Sequence, residues 1–438
     1  MCDQDGPENH ASGAAAWRHV ETLLARYGGG KADHAAAGDR FSSVGIIGGG
    51  TMGIGIAAAH LRQGVPVVVV DADPRVVAAA AERTAAELAH DMDPERAQAL
   101  VDALLQATDD LAAVGACELV VESIDENRDV KHRLYATLEG QLAPEAVLGS
   151  NTSSIPIGKL ALPLKNPRRF LGVHFFHPVR RRPLVELIRG ERTDEAAVAR
   201  AAAHLRAIGR ASIVVEDGPG FLVNRVLLPY FVEALELLLE GATIDQVDQA
   251  ALAFGMAKGP LRLADEVGLD TVVRSGVVLA TAFPDRVVSS PLPVTLVKAK
   301  RLGVKSGKGF FRYTTSSDGR LRAHPDPDID PLIARWAGDA REHTPESIAN
   351  RLIVPMLLEA ARVLEEGKIS GPAEVDVGTL LGLGFPKDKG GLLFWADSLS
   401  RDELAERIRC LEPLGARAEP PALLREMLRD GRKFYPTT

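Results

Sequence analysis

The chain has 438 residues, too many for one ordinary core, so two or three domains are expected. Its composition, 46% hydrophobic and 25% charged, is that of a globular protein, and a formal charge of −8 argues against a nucleic-acid partner. No apolar run reaches membrane-spanning length, the polar start MCDQDGPENH is no signal peptide, and Cys2, Cys117 and Cys410 lie far apart with no CxxC pair, so a cytoplasmic location without a disulfide framework or membrane attachment is expected.

Residues 1–40 carry few order signals. Trp17 to Tyr27 has the pattern of one amphipathic helix, flanked by linker text at Gly28-Gly29-Gly30 and Ala35-Ala36-Ala37. From Ser43 the texture changes. Val44 to Ile47 reads as a short buried strand, followed by a glycine loop and an Ala-rich helix to Gln63. Val67 to Val70 is a second strand, ended by Asp71, and helical text follows to about Leu111. Leu119 to Glu122 and Val147 to Ser150 complete four strands alternating with helices, which implies a parallel, doubly wound sheet. After Gly220 helical patterns take over, and Thr314 to Asp330, rich in Ser, Asp, Gly and Pro, reads as a linker.

An internal repeat follows. Asn224-Arg225 and Pro229 are echoed by Asn350-Arg351 and Pro355, Glu233-Ala234 by Glu359-Ala360, and Glu240-Gly241 by Glu366-Gly367, all at an offset of 126. Val247-Asp248 matches Val375-Asp376 after a small insertion. A single offset over so many positions indicates a duplicated helical module.

Gly48, Gly50 and Gly53 fill a GxGxxG pattern between a strand and a helix, with Asp71 ending the next strand. Gly48 permits the tight turn, Gly50 lets the backbone approach a pyrophosphate, and Gly53 lets helix and strand pack closely. The free amides of the helix N-terminus favour phosphate there. Asp71 suits two ribose hydroxyls and would repel a 2′-phosphate, so NAD is favoured over NADP.

Downstream, SNTSS spans Ser150 to Ser154, HFFHP spans His174 to Pro178, Glu186 lies twelve residues after His174, and PGFLVNR spans Pro219 to Arg225. His174 suits the base that takes a hydroxyl proton while hydride leaves carbon, because imidazole titrates near neutrality. Pro183 to Ile188 reads as a strand returning beside Leu171 to Phe176, which would let Glu186 accept the other imidazole proton. Ser153 and Asn224 can donate hydrogen bonds to a developing carbonyl oxygen. Zinc on His174, His177 and Glu186 is the alternative, but Pro178 argues against a continuous helix that would set both imidazoles on one face, so no metal is expected.

These motifs resemble the L-3-hydroxyacyl-CoA dehydrogenase family, in particular the C-terminal portion of the multifunctional fatty-acid β-oxidation α-subunit, over roughly Phe41 to Pro436. The resemblance implies roles for Ser153 and Asn224 in binding substrate, for His174 as the catalytic histidine and for Glu186 as its partner. It puts Met52, Asp71, Glu126 and Lys131 on NAD-contact positions, and His177 close to the nicotinamide. It implies reversible NAD-dependent oxidation of an (S)-3-hydroxyacyl-CoA to its 3-oxoacyl product. The implied organisation is α/β followed by all-α: a tail or linker helix (1–40), a Rossmann NAD-binding domain (41–216), a helical domain (217–315), a linker (316–344) and a duplicated helical domain (345–438).

Three features depart from the family pattern. His177 stands where the family has asparagine. The hairpin after the second strand carries Asp91, Asp93 and Glu95 where the family has lysines that help hold CoA, which opens a carrier protein or a free acid as alternatives to CoA. Leu381 replaces a tyrosine before Gly382-Leu383-Gly384-Phe385-Pro386. The run Arg180-Arg181-Arg182 can compensate by binding an anionic head group, with Arg180 the candidate, or can be a solvated face. With about 40 residues before the first strand, hydratase activity is expected to be absent. A thiolase or a separate hydratase is a candidate partner. A catalytically silent NAD-binding scaffold is the reading from another class. Two copies of the helical module in tandem can pair within one chain, so a monomer or weak dimer is expected.

Overall fold

A computed structural model describes residues 7–28, 40–316 and 319–436. The linker text at Gly29-Gly30 and Ala35–Ala37, like Cys2, lies outside them; Gly28 lies inside, and Cys117 and Cys410 are free. Among the described residues no helix is long and apolar enough to cross a membrane. The chain forms two units. One is Glu21–Phe221 with Lys368–Ser370; the other is Leu222–Gly367 and Gly371–Thr438 with the segment up to Val20.

The first unit is built on eight strands: β1 (Val44–Ile47), β2 (Val67–Val70), β3 (Leu105–Thr108), β4 (Leu119–Glu122), β5 (Val147–Ser150), β6 (Phe170–Phe175), β7 (Leu184–Arg189) and β8 (Ala211–Glu216). Their order is β3-β2-β1-β4-β5-β6-β7-β8. Every pairing is parallel except β6 with β7. Central strands read as continuous apolar runs because both faces of the sheet are covered; β1, β4 and β5 are buried at every position. The order reverses between β1 and β4, the kind of switch point beyond whose carboxyl strand ends open parallel sheets bind their ligands.

The structure corrects the reading of helix through Leu111. The helix Pro94–Leu104 stops and Leu105-Gln106-Ala107-Thr108 becomes the edge strand β3, paired in register with β2. Leu, Gln and Ala carry no strand propensity of their own, so this strand owes its existence to the open edge of β2. The other edge strand, β8, also has no counterpart in the sequence reading. The N-terminal helix runs from Pro7 to Tyr27, starting earlier than Trp17. Strands also do not end at Gly220: part of the supposed linker is an antiparallel hairpin, Arg312–Thr315 with Leu321–His324.

In the second unit the helices Val223–Leu239 and Pro345–Glu365 pack together, each with its proline (Pro229, Pro355) inside. The echoed residues meet crosswise. Arg225 donates to Glu359 (2.6 Å) and with both terminal nitrogens to Glu366 (2.7 Å). Arg351, its repeat mate, donates to Glu233 (2.8 Å) and to Glu240. Each arginine of one copy therefore answers the two glutamates of the other. The symmetry continues past the sequence echo. Asp248 accepts the amides of Leu261 and Arg262, and Asp376 those of Leu393 and Phe394. Asp265 then takes the amides of Phe310 and Phe311, as Asp397 takes those of Phe434 and Tyr435. Breaking a buried ion pair from one side leaves an uncompensated charge. Arg351→Met is therefore expected to lower stability by about 3 kcal/mol, read from the urea midpoint of this unit.

The core of the first unit holds two stacked histidines, His60 and His204, both sealed from solvent, with ring centroids 5.2 Å apart. His60 Nδ1 donates to the Ile56 carbonyl (2.7 Å) and His204 Nδ1 accepts the Phe41 amide (3.1 Å), which only a neutral His204 ring can do. Burial lowers His60 to about 4, with Arg210 adding to the effect, and lowers His204 to about 2, helped by His60 and Arg40. An unfolded chain takes up both protons below its ordinary value of 6.5, and the folded one does not. Stability is therefore complete above pH 6.5 and falls as pH drops toward 4, by up to about 2.7 kcal/mol per pH unit for two protons. Chemical denaturation at pH 7, 6 and 5 should show this slope, and His60→Leu should roughly halve it.

Candidate active site

The glycine loop begins where β1 ends. Gly48 adopts φ +105°, and a Cβ there would sit 2.5 Å from the Ser123 carbonyl oxygen. A Cβ on Gly53 would lie 1.8 Å from the Gly48 carbonyl oxygen, so only glycine lets helix Thr51–Leu61 start this close to the turn. At Gly50 the added atom would meet nothing within 4 Å, so that position faces open space. Gly50 provides no side-chain cap and the first turn holds no acidic residue, which leaves the amides of Thr51, Met52 and Gly53 to a ligand. Met52 is half-buried in that turn. Asp71, the residue after β2, accepts the Gly49 amide (2.8 Å) and the Asp73 amide (2.9 Å), which pins its carboxylate beside the loop.

His174 and Glu186 stand directly opposite each other across the antiparallel pair β6–β7. His174 Nδ1 lies 2.7 Å from Glu186 Oε2, with Glu186 fully buried and His174 5% exposed. The carboxylate accepts the Nδ1 proton, which leaves Nε2 with its lone pair. The rings of Phe176 and Phe221 lie 4.5 and 5.7 Å from the imidazole and exclude water from its flanks.

The SNTSS turn follows β5. Asn151 accepts the Phe175 amide (2.8 Å) and donates to Ser123 Oγ (3.2 Å), tying the turn to the residue after His174 and to the loop after β4. Glu126 gathers the turn: one of its oxygens accepts Thr152 Oγ1 (2.5 Å), the Ser153 amide (3.0 Å), and the amide and hydroxyl of Ser154. Burial works to raise the Glu126 carboxyl, but Lys131 and these donors outweigh it and hold the group below the usual carboxylate range. Lys131 is fully buried; its ammonium meets Glu122 (2.6 Å), Glu126 (3.3 Å) and the Ile124 carbonyl (3.5 Å). Its three protons are thus spent inside the protein, on Glu122, Glu126 and the Ile124 carbonyl.

His177 is exposed at the turn after β6. The protein packed around its ring lowers its pKa; Glu87 opposes this, and Arg180 and Arg182 reinforce it. Arg180 Nε lies 3.7 Å from Glu87, and its Nη1 is buried with no hydrogen-bond partner among the described residues. The acidic hairpin is partly answered from within. Asp91 pairs with Arg62 (2.9 Å), and Asp93 caps the helix that follows through the amides of Glu95 and Arg96. Asn224 belongs to the other unit, half-buried in the first turn of Val223–Leu239.

Comparison with known proteins settles the lineage. Residues 43–218 match the family model "3-hydroxyacyl-CoA dehydrogenase, NAD binding domain", and residues 220–313 match its C-terminal domain. The chain belongs to the 3-hydroxyacyl-CoA dehydrogenase family. It is 39% identical to FadB2 of M. tuberculosis, covering all of that structure and 63% of this chain, with a TM-score of 0.61. The 3-hydroxybutyryl-CoA dehydrogenase of Escherichia coli superposes over 89% of this chain and 98% of its own, with a TM-score of 0.76 at 25% identity. The fatty acid oxidation complex subunit alpha of Pseudomonas aeruginosa is 38% identical over 89% of this chain, which spans 55% of that relative's length.

NAD is therefore the cofactor of this dehydrogenase. The loop fits it: an open cradle at Gly50, an uncapped helix start, and a carboxylate at the end of β2 where a ribose would lie. The sequence reading missed the buried partners Glu122 and Tyr135, and it quoted Ser150 and Asn151 within SNTSS without giving either a role. Glu122 left a signal of its own, a carboxylate closing the otherwise apolar strand Leu119-Val120-Val121-Glu122. Gly53→Ala must push the Gly48 carbonyl out of the turn. NADH affinity, measured by fluorescence titration, is expected to fall by at least about tenfold.

Proposed function

We propose that the chain catalyses NAD-dependent oxidation of an (S)-3-hydroxyacyl-CoA to the 3-oxoacyl-CoA, and the reverse reaction. One observation carries the reading: His174 Nδ1 and Glu186 Oε2 lie 2.7 Å apart in a buried, register-fixed pair. In the oxidising direction His174 Nε2 takes the proton of the 3-hydroxyl. NAD, held at the glycine loop and Asp71, would supply the acceptor for the hydride that leaves C3. The C3–O bond becomes a carbonyl, and the imidazolium later passes its proton to solvent. Glu186 holds the tautomer that leaves Nε2 free and stabilises the imidazolium once it forms. Ser153 is assigned to the substrate oxygen through its hydroxyl, since its amide is already committed to Glu126. Asn224 is assigned to the same substrate on its motif. Glu126, together with Met52 and Asp71, is assigned to the cofactor, and His177 to its nicotinamide end.

The internal pairing of Asp91 and Asp93 removes part of the objection to CoA, and Arg180 supplies a buried guanidinium nitrogen with no hydrogen-bond partner among the described residues, so CoA is preferred to a free acid. The crosswise pairing of the two helical copies supports a monomer, because each copy already has its partner in the same chain.

Incubation with NADH and acetoacetyl-CoA tests the proposal. NADH should be consumed at a rate that His174→Ala abolishes, and no consumption above that variant would overturn the reading. Glu186→Gln should lower kcat by about a hundredfold, through the wrong tautomer and a destabilised imidazolium, while the NADH dissociation constant stays unchanged. A kcat within threefold of wild type would remove Glu186 from the mechanism.

A further inference from the structure

We propose that Glu122, the carboxylate at the end of β4, is a positioning residue that fixes the Thr152–Ser154 turn, and with it Ser153, by way of Lys131 and Glu126. This deepens the function proposed above and rests on it for the meaning of Ser153.

The starting point is a charge in an expensive place. Glu122 and Lys131 are both 0% exposed. Burying two ions costs several kcal/mol each before their attraction returns anything. The rest of β4 is Leu119, Val120 and Val121, so a hydrophobic side chain in place of Glu122 would suit the sheet as well or better.

The hydrogen bonds close completely. Glu122 accepts from Lys131 Nζ (2.6 Å) and the Ile124 amide (2.8 Å) on one oxygen. On the other it accepts from Tyr135 Oη (2.5 Å) and Ser150 Oγ (2.7 Å). Four donors fill the four lone-pair sites of an ionised carboxylate. Burial first, and then Glu122, hold the Tyr135 phenol well above its ordinary range, so it stays a donor. Ser150 links outward as well, its Oγ accepting the Thr152 amide (3.3 Å). Lys131 spends its other protons on Glu126 and the Ile124 carbonyl.

The result is a line of alternating charge, Glu122⁻–Lys131⁺–Glu126⁻, anchored in the closed interior and ending on a turn that reaches solvent. The outer end holds the turn through the four donors on Glu126, with the Ile155 amide on Thr152 Oγ1 (3.0 Å), while the inner end reaches it through the one longer bond from the Thr152 amide to Ser150 Oγ. A glutamine at 122 cannot copy this, because half of its amide donates where an acceptor is required. Lys131 would then have Glu126 as its one ionic partner, beside the Ile124 carbonyl, and the turn would lose the charged end of its anchor. The ladder between β4 and β5, register Glu122↔Ser150 included, is made of backbone bonds and would survive.

Two variants of the full chain decide the matter: Glu122→Gln, and Glu122→Gln with Lys131→Met, which removes both buried ions. Hydrogen exchange is followed in the segments 151–156 and 119–122, alongside thermal midpoint, kcat and KM. In Glu122→Gln, exchange over 151–156 should quicken about tenfold with 119–122 unchanged. kcat should fall between about ten- and a hundredfold, more than KM changes. The double variant, relieved of unpaired charge, should recover the thermal midpoint but not kcat, which a purely structural role for Glu122 would restore together. Unchanged exchange over 151–156, or recovery of kcat with the midpoint, overturns the proposal. If the wild type itself turns over no 3-oxoacyl substrate, the function proposed above has failed, and the exchange measurement still decides what Glu122 does.

Discussion

The register of β6 against β7 is the constraint on which the chemistry rests. Side chains alternate between the faces of a sheet, so a slip of one residue would carry Glu186 to the opposite face from His174. Nothing local in HFFHP or in Leu184–Arg189 prevents such a slip. It is prevented by the apolar residues on either side: Val173, Phe175, Val185 and Leu187 all lie in the buried core, and shifting one strand would exchange their places with those of the charged pair. The hydrophobic pattern thus aims the carboxylate. It is also the one antiparallel pairing in the sheet, and it puts a strand end and a strand start within reach of each other.

The first unit hides several polar groups in places where apolar ones would pack as well. His60 and His204 give up their charge to stay there, whereas Glu122 and Lys131 keep theirs and use every donor and acceptor they have. The difference is instructive. A neutral imidazole needs one or two partners and then behaves as an aromatic core residue. An ion pair needs a complete cage, and this cage extends through Glu126 to the turn after β5. A cost accepted in the interior is thereby turned into rigidity at the surface, where a substrate oxygen has to meet a fixed donor.

In the second unit the same physics serves assembly. Two copies of one helical module would each expose an apolar helix, and they bury it on one another. Apolar contact alone would allow the helices to slide. The crosswise bonds of Arg225 to Glu359 and Glu366, and of Arg351 to Glu233 and Glu240, are satisfied in one alignment only. Buried charge is a weak source of stability, but here it specifies register.

How much of this could be read in advance follows from where each signal lives. Val44–Ile47 and Val67–Val70 announce themselves because a strand buried on both faces must be apolar throughout, and the glycine loop because sterics at Gly48 and Gly53 admit no other residue. The His174–Glu186 pairing was legible because two apolar runs separated by a short turn imply a hairpin-like return. Leu105–Thr108 was not, since its strand state comes from a neighbour and its own residues favour helix. The repeat showed which glutamates and arginines correspond, but a sequence offset equates residues without saying whether they bond within a copy or across copies. Glu122 was the hardest case: at a strand end a carboxylate is ordinarily solvated, and what makes this one different is that Lys131, nine residues on, turns back on the helix Arg128–Leu138 to meet it. Interactions of that kind are set by the packing of a helix on a sheet, and they appear only when that packing is known.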